Sequence, residues 1–294
     1  MNLLFILNPV AGKGRTREAI PLIEKYCADR DIKCKILETA SVGDATHIVR
    51  EERLEDYFAV VAVGGDGTVL EVANGLIGTS ISLGVIPLGS GNDFAKAMKV
   101  PSGFHHIEDA LRMITEYPAK VVDMARFNGR VFLNIASIGF DAEIIRDLHK
   151  VKRFIKGTAA YPVSALLKFL TYKPKDVILV MDGTRITGKI FLAAICNGVY
   201  YGGGMKVNPE GSVVDGFLDV ILIKPVPRYK IPFLMVKFIK GEHLQLSYVT
   251  TYRCREVQIL SNEALAVNVD GDCAMTTPVT FRLMPLSIHV FGDI

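Results

Sequence analysis

The chain has 294 residues, 50% of them hydrophobic and 22% charged, which excludes a disordered or fibrous protein and leaves length for two domains with substantial cores. Lysine and arginine number 34 against 31 aspartates and glutamates, and the net charge of +3 is too small to argue for nucleic acid as a partner. Five scattered cysteines (Cys27, Cys34, Cys196, Cys254, Cys273) form no CxxC pair, which points to a reducing compartment and away from a disulfide framework or zinc site.

Residues 3–7 are apolar but lack a basic segment before them and run into Asn8-Pro9 too soon for a signal peptide, so they read as a first buried strand. No apolar run reaches the ~18 residues of a membrane-spanning helix, which predicts a soluble, cytoplasmic protein with at most peripheral membrane contact. The loop Asn8-Pro9-Val10-Ala11-Gly12-Lys13-Gly14-Arg15-Thr16 fits neither a Walker A motif nor a dinucleotide fingerprint. It is still glycine-rich and basic at the C-terminal end of a strand, where open α/β sheets bind ligands. Lys13 and Arg15 suit a phosphate or an anionic head group; a solvated basic loop is the other reading of the same residues. A helix to Tyr26, a strand over 33–39, a turn over 39–45 and an amphipathic helix ending near Arg53 follow.

Val60-Val61-Ala62-Val63 predicts a buried strand, and Gly64-Gly65-Asp66-Gly67 a tight, irregular turn. Thr68 is the predicted N-cap of a helix carrying Val69, Val72, Ala73 and Leu76 at helical spacing. A strand, a glycine turn and a helix N-terminus together turn backbone N–H groups toward a phosphate. A carboxylate beside a phosphate is repulsive unless a cation bridges them, so Asp66 suggests a magnesium-nucleotide site. Taken alone, the motif fits a tight turn with an exposed Asp equally well. Residues 82–87 form another strand, Leu88-Gly89-Ser90-Gly91-Asn92-Asp93 a second glycine turn, and a helix runs on through Met98. Three strands thus deliver glycine-rich loops at their C-terminal ends, and a parallel sheet with right-handed crossovers sets these along one edge. Their convergence favours a binding crevice.

After a helix over 107–115 the pattern changes near Val121-Val122-Asp123. Short β-rich segments follow at 131–135, 177–181, 190–196, 217–223, 255–260, 266–269 and 279–283, with turn signals at Asp182-Gly183, Asn197-Gly198 and Asp270-Gly271. The expected fold class is α/β plus all-β, with a parallel-sheet α/β nucleotide domain over 1–122 and a β-sandwich substrate domain over 123–294.

Asn8-Pro9-Val10-Ala11-Gly12, Gly64-Gly65-Asp66-Gly67-Thr68 and the stretch from Pro87 through Gly89-Ser90-Gly91-Asn92-Asp93 to Ala95 occur in an order that resembles the diacylglycerol kinase catalytic domain, in particular soluble bacterial lipid kinases. The second half agrees through Asn134-Ile135-Ala136-Ser137-Ile138-Gly139-Phe140-Asp141, Gly202-Gly203-Gly204-Met205, Pro209, Asp215-Gly216-Phe217-Leu218-Asp219-Val220 and Asp270-Gly271-Asp272. NAD kinases and phosphofructokinases share a similar glycine turn; the ordered set is what is specific. The resemblance implies ATP in a cleft between the domains and transfer of its γ-phosphoryl group to a lipid hydroxyl, with diacylglycerol as first candidate. It further implies nucleotide contacts from Asn8, Pro9, Val10, Ala11, Gly12, Thr39, Gly64, Gly65, Asp66, Gly67, Thr68, Val69, Leu70, Glu71 and Ser90. A structural magnesium ion would be held by Ser212, Asp215 and the backbone carbonyl of Phe217, with Asp66, Asp93 and Asp123 joined to it through water. Asp272 stands where the family has a proton-accepting Glu, one methylene shorter.

Between Asp147 and Asp176 the sequence holds Lys150, Lys152, Arg153, Lys156, Lys168, Lys173 and Lys175 without an acidic residue, interleaved with Phe154, Ile155, Tyr161, Leu166, Leu167, Phe169 and Leu170. Between Asp219 and Glu242 the pattern recurs with Lys224, Arg228, Lys230, Lys237 and Lys240 among Tyr229, Phe233, Leu234, Met235 and Phe238. Both stretches suit docking on an anionic bilayer, and ordinary solvated segments are the alternative. The expected partner is therefore a lipid at the inner face of the membrane, with no nucleic acid and with a homodimer left open. A soluble-substrate kinase of the NAD kinase type and a non-catalytic lipid or nucleotide sensor are the competing functions.

Overall fold

The computed structural model describes residues 1–151, 168, 169 and 171–294. Strands β1 (Asn2–Leu7), β2 (Lys33–Glu38), β3 (Ala59–Gly64) and β4 (Ser82–Pro87) pair in parallel in the order β2-β1-β3-β4. Every residue of β3 is buried, as small and β-branched side chains covered on both faces require. Helices Ile20–Ala28 and Ile107–Glu116 pack together, as do Asp44–Glu51 and Asp66–Gly75.

The second half contains β5 (Lys120–Phe127), β6 (Arg130–Phe132), β7 (Ile135–Gly139), β8 (Lys175–Met181), β9 (Thr184–Ile190), β10 (Leu192–Cys196), β11 (Tyr200–Tyr201), β12 (Met205–Lys206), β13 (Leu218–Ile223), β14 (Val249–Cys254), β15 (Glu256–Leu260), β16 (Ala266–Val269), β17 (Asp272–Thr276) and β18 (Val279–Val290). An antiparallel sheet of order β14-β13-β10-β7-β16-β17 packs on β5, β8, β15 and β18 through a core that includes Phe132, Ile138, Val220, Val257 and Phe281. The rings of Phe132 and Phe281 meet edge-on at 5.6 Å. On the other side of that sheet, Leu192, Ala194 and Cys196 of β10 pack with Phe140, Ile144, Leu234 and Phe238 from helices Phe140–Val151 and Ile231–Lys240. Strand β10 is therefore apolar along its whole length.

The sheets of the two halves are joined. The end of β18 runs parallel to β4, with Val290 beside Leu83 and the Phe291 N–H donating to the Leu83 carbonyl at 3.1 Å. Ile288, Val290 and Phe291 thereby enter the N-terminal core, and the parallel sheet and one layer of the sandwich are a single sheet.

Three local expectations differ from what is found. Residues 131–135 are not one strand; β6 and β7 break at Leu133 and Asn134, whose N–H groups turn to the Asp270 carboxylate. Asn197-Gly198 is not a hairpin turn, because both N–H groups donate to the Asn134 carbonyl, while the Asn197 amide donates to the carbonyls of Asp123 and Leu133. Thr68 does not cap its helix. Gly65 occupies the N-cap, and Thr68 lies inside the first turn accepting a bond from Asn8 Nδ2 at 3.1 Å.

Candidate active site

Three loops leave the C-terminal ends of β1, β3 and β4 and touch one another. Gly89 and Gly65 meet backbone to backbone: a Cβ on Gly89 would lie 2.4 Å from the Gly65 Cα. Only glycine at this crossing permits the approach. The Gly64 carbonyl accepts from Leu88 N (2.8 Å) and Gly89 N (3.1 Å), which ties the second glycine turn to the first. Asn92, in the left-handed region at φ 56°, closes its own loop by accepting from Gly89 N at 3.0 Å and donating to the Ser102 hydroxyl at 2.9 Å. Sequence spacing did not single out Asn92; its signal is an Asn directly after glycine, a residue type that tolerates this backbone region. The Asn8 loop passes through left-handed residues Gly12, Lys13 and Gly14.

In the helix after Gly65 the first backbone bond runs from Val69 N to the Gly65 carbonyl, which leaves the N–H groups of Asp66, Gly67 and Thr68 without helical partners. Such an end attracts an anion. Not every residue of the implied nucleotide set points toward it. Val69 is buried in the core, and the Glu71 carboxylate accepts from Gly43 N (2.8 Å) and Ala45 N (3.2 Å), holding the start of the Asp44–Glu51 helix. Leu70, Glu71 and Gly67 line a cavity of about 340 Å³ together with Val42 and Asp272. Thr39 is buried beyond the end of β2, and Ser90 and Val10 are exposed on their loops. Arg15 is engaged by Glu18 and stacks 4.9 Å from the Phe104 ring, while Lys13 is exposed.

A second cavity of about 200 Å³ is lined by Asp66, Gly91, Asp93, Asn134, Tyr201 and Asp270. Asp270 and Gly271 border both cavities. Asp66 Oδ1 accepts from Phe94 N at 3.1 Å; burial raises its carboxyl above the usual range, that bond opposes the shift, and the charge of Asp93 adds to it. Asp93 Oδ2 accepts from Gly203 N at 2.8 Å, and its buried Oδ1 makes no hydrogen bond, with Lys96 Nζ 3.6 Å away. Burial pushes the Asp270 carboxyl up to about 6, although it accepts from the N–H groups of Leu133, Asn134 and Ile135. The sequence marks Asp270 as a turn residue within the Asp270-Gly271-Asp272 match and gives it no place in the site; its role here depends on strand β7 arriving beside the turn. Asp272 is exposed on the first residue of β17, on the Gly67 side.

Tyr201 borders a third, apolar cavity of about 50 Å³, lined by Phe140, Phe191, Met205, Leu234 and Phe238 among others, with Asp141 at its polar end. Asp141 Oδ2 receives bonds from Ser137 and Tyr201, and burial raises its carboxyl.

Ser212, Asp215 and Phe217, implied as ligands of the structural metal, and Asp123 of its network do not line these cavities. Asp123 is buried on β5, with Oδ1 accepting from Leu286 N (2.7 Å) and Oδ2 from Gly216 N (2.9 Å), so both oxygens hold backbone. Asp215 Oδ1 accepts from Phe217 N at 3.1 Å, while Oδ2 is paired with the Arg253 guanidinium. Arg253 also reaches Asp219 at 3.3 Å and lies 4.6 Å over the Phe217 ring. Ser212 Oγ accepts from Val214 N at 3.3 Å. A fixed cation already neutralises the carboxylate that the metal would need, so these residues do not fit a resident magnesium ion as they stand. Among the described residues no cluster of three His, Cys, Asp or Glu side chains is arranged to chelate a metal ion.

Of the first basic stretch, 152–167 and 170 and the side chain of Lys150 lie outside the described residues. Lys168 is held between Glu143 (3.0 Å) and Asp147 (2.7 Å), and Lys175 pairs with Glu263 at 3.1 Å. No helix among the described residues is long and apolar enough to cross a membrane.

Residues 2–127 match the diacylglycerol kinase catalytic domain, and residues 134–292 match the YegS C-terminal NAD kinase beta sandwich-like domain. A diacylglycerol kinase of Bacillus subtilis (strain 168) is 29% identical over 289 residues, covering 97% of this chain and 94% of that protein. A probable lipid kinase YegS-like of Pseudomonas putida is 32% identical over 254 residues, covering 86% and 83%. The chain belongs to the diacylglycerol kinase family. A solved structure of a putative diacylglycerol kinase from Bacillus anthracis superposes with a TM-score of 0.78 at 26% identity, over 99% of this chain and 97% of that one. The expected family and fold class therefore hold, and the relatives support a lipid kinase. In this member of the diacylglycerol kinase family, the cleft carboxylates lie between the glycine turns and the apolar cavity.

Proposed function

We propose that the protein is an ATP-dependent lipid kinase that transfers the γ-phosphoryl group of ATP to the hydroxyl of diacylglycerol, giving phosphatidic acid, at the inner face of a membrane. The observation that carries this reading is the sequence of three neighbouring cavities. The glycine turns and the free N–H groups before Val69 suit nucleotide phosphates, the Asp66–Asp270 cleft suits the reacting hydroxyl, and the Tyr201 cavity suits apolar substance.

The buried oxygen of Asp93 that makes no hydrogen bond fits the magnesium ion accompanying ATP, which supplies neutralisation of the phosphate charge. The hydroxyl oxygen attacks the γ-phosphorus in line, the bond to the β–γ bridging oxygen breaks, and ADP departs. The hydroxyl proton passes to Asp66. This carboxylate lines the acceptor-side cleft, accepts from the Phe94 N–H, and is more basic than an exposed aspartate. Asp272, the acceptor that the family pattern implies, faces the Gly67 side and is the rival for this role.

Labelled ATP incubated with diacylglycerol, phosphatidylglycerol, a polyprenol, a sphingoid base and NAD tests the assignment. Label in phosphatidic acid is expected; phosphorylation of NAD alone would overturn it.

A further inference from the structure

Helix Ile231–Lys240 is apolar on two sides. Its inner side is ordinary core: Ile231, Leu234 and Phe238 are buried, and Leu234, Met235 and Phe238 wall the apolar cavity. The outer side of a surface helix is normally polar. Here Phe233, Val236 and Ile239 are 53%, 50% and 59% exposed, and Tyr229 in the preceding turn is 78% exposed. Residues three or four apart share a helix face, so these four make a contiguous apolar strip rather than scattered single residues.

Its charged neighbours along the chain are cations. Arg228, Lys230 and Lys240 are exposed, and residues 220–241 contain no aspartate or glutamate. Lys237 lies 5.7 Å from the Phe233 ring and pairs with Glu242, the first acid after the run. Apolar side chains flanked by lysine and arginine match a bilayer interface, where the former sink below the head groups and the latter meet lipid phosphates. The helix is pinned to the body: Gly241 ends it in the left-handed region, and His243 stacks on Phe238 at 3.8 Å while bonding the Val207 carbonyl at 2.8 Å.

We infer that the outer face of the Ile231–Lys240 helix is the surface by which this protein docks on an anionic lipid bilayer, and that the same helix, as a wall of the apolar cavity, is where the acyl chain of a lipid substrate passes. The second clause rests on the lipid-kinase reading. A cavity of about 50 Å³ takes only a few methylene groups, so a longer chain must run out along its walls. Among the described residues packed over it, this helix carries the exposed apolar face of Phe233, Val236 and Ile239.

The test is co-sedimentation of the full chain with phosphatidylcholine vesicles with and without phosphatidylglycerol. Wild type should partition more strongly onto the anionic vesicles. The exposed double variant Phe233→Ser/Ile239→Ser should lose roughly tenfold or more in partitioning with an unchanged melting temperature. Lys230→Glu/Lys240→Glu should abolish the preference for anionic lipid. Wild-type-like binding by both variants, or equal wild-type binding to both vesicle types, overturns the inference. So does a wild-type dimer that Phe233→Ser/Ile239→Ser converts to monomer without weakening vesicle binding, since the face would then join two copies. Activity separates the two readings. Docking through the helix without phosphorylation of any lipid refutes the lipid kinase and leaves docking standing. Undiminished phosphorylation of bilayer-embedded lipid by both variants refutes docking and leaves the kinase standing.

Discussion

Asp66→Asn separates chemistry from folding in this site. The carboxylate accepts from Phe94 N at 3.1 Å, a bond that the amide oxygen of asparagine preserves. Burial, together with the nearby charge of Asp93, disfavours the ionised form in the folded state. A neutral isostere relieves that penalty, so the variant should melt at or above the wild-type temperature at pH 7. Removal of a general base lowers turnover by roughly 10²–10⁴-fold, about 3–5 kcal/mol in the barrier. The wild-type kcat/KM for diacylglycerol should rise with pH through a value above the ordinary carboxylate range, and the residual activity of the variant should lose that limb. Asp272→Asn should be the milder change in the same assay. Asp66→Asn turnover within tenfold of wild type would refute the role given to Asp66, and a larger loss from Asp272→Asn would return the proton to the exposed carboxylate.

Gly89→Ala sets a methyl 2.4 Å from the Gly65 Cα, with backbone on both sides of the clash. It should destabilise the protein by about 1–3 kcal/mol and weaken ATP binding, read by thermal melting with and without nucleotide. The Asp270 carboxyl, raised to about 6, binds a proton that the unfolded chain has released by then. Stability from this group is therefore fully present below the unfolded value of about 4 and is lost as pH rises through 6, with a slope of up to about 1.4 kcal/mol per pH unit. Denaturant titrations of wild type and Asp270→Asn across that window should differ by this slope; parallel curves would exclude it. Arg253→Gln strips Asp215 and Asp219 of their fixed cation. The wild-type melting temperature should ignore EDTA and magnesium, whereas that of the variant should fall by a few degrees and recover with magnesium. A wild type that melts earlier in EDTA would show that a metal ion belongs at Asp215.

The amino-acid sequence by itself determined the glycine loops. Strand ends at Leu7, Gly64 and Pro87 followed by clustered glycines depend on local spacing, and parallel crossovers then place them on one edge whatever the rest of the chain does. Tertiary structure alone decided which acids face the reaction. Asp270 and Asp272 are two residues apart in one hairpin, yet strand β7 arriving beside the turn takes the first into the cleft while the second stays exposed. The pairing of Arg253 with Asp215 spans 38 positions and exists because β13 and β14 lie side by side in register. The run Ile231–Lys240 is apolar almost throughout, so its periodicity could not tell the side against Leu192 and Phe140 from the side that carries Phe233, Val236 and Ile239 outward. Local backbone chemistry is written in neighbouring residues; the company a side chain keeps depends on contacts between segments far apart in the chain.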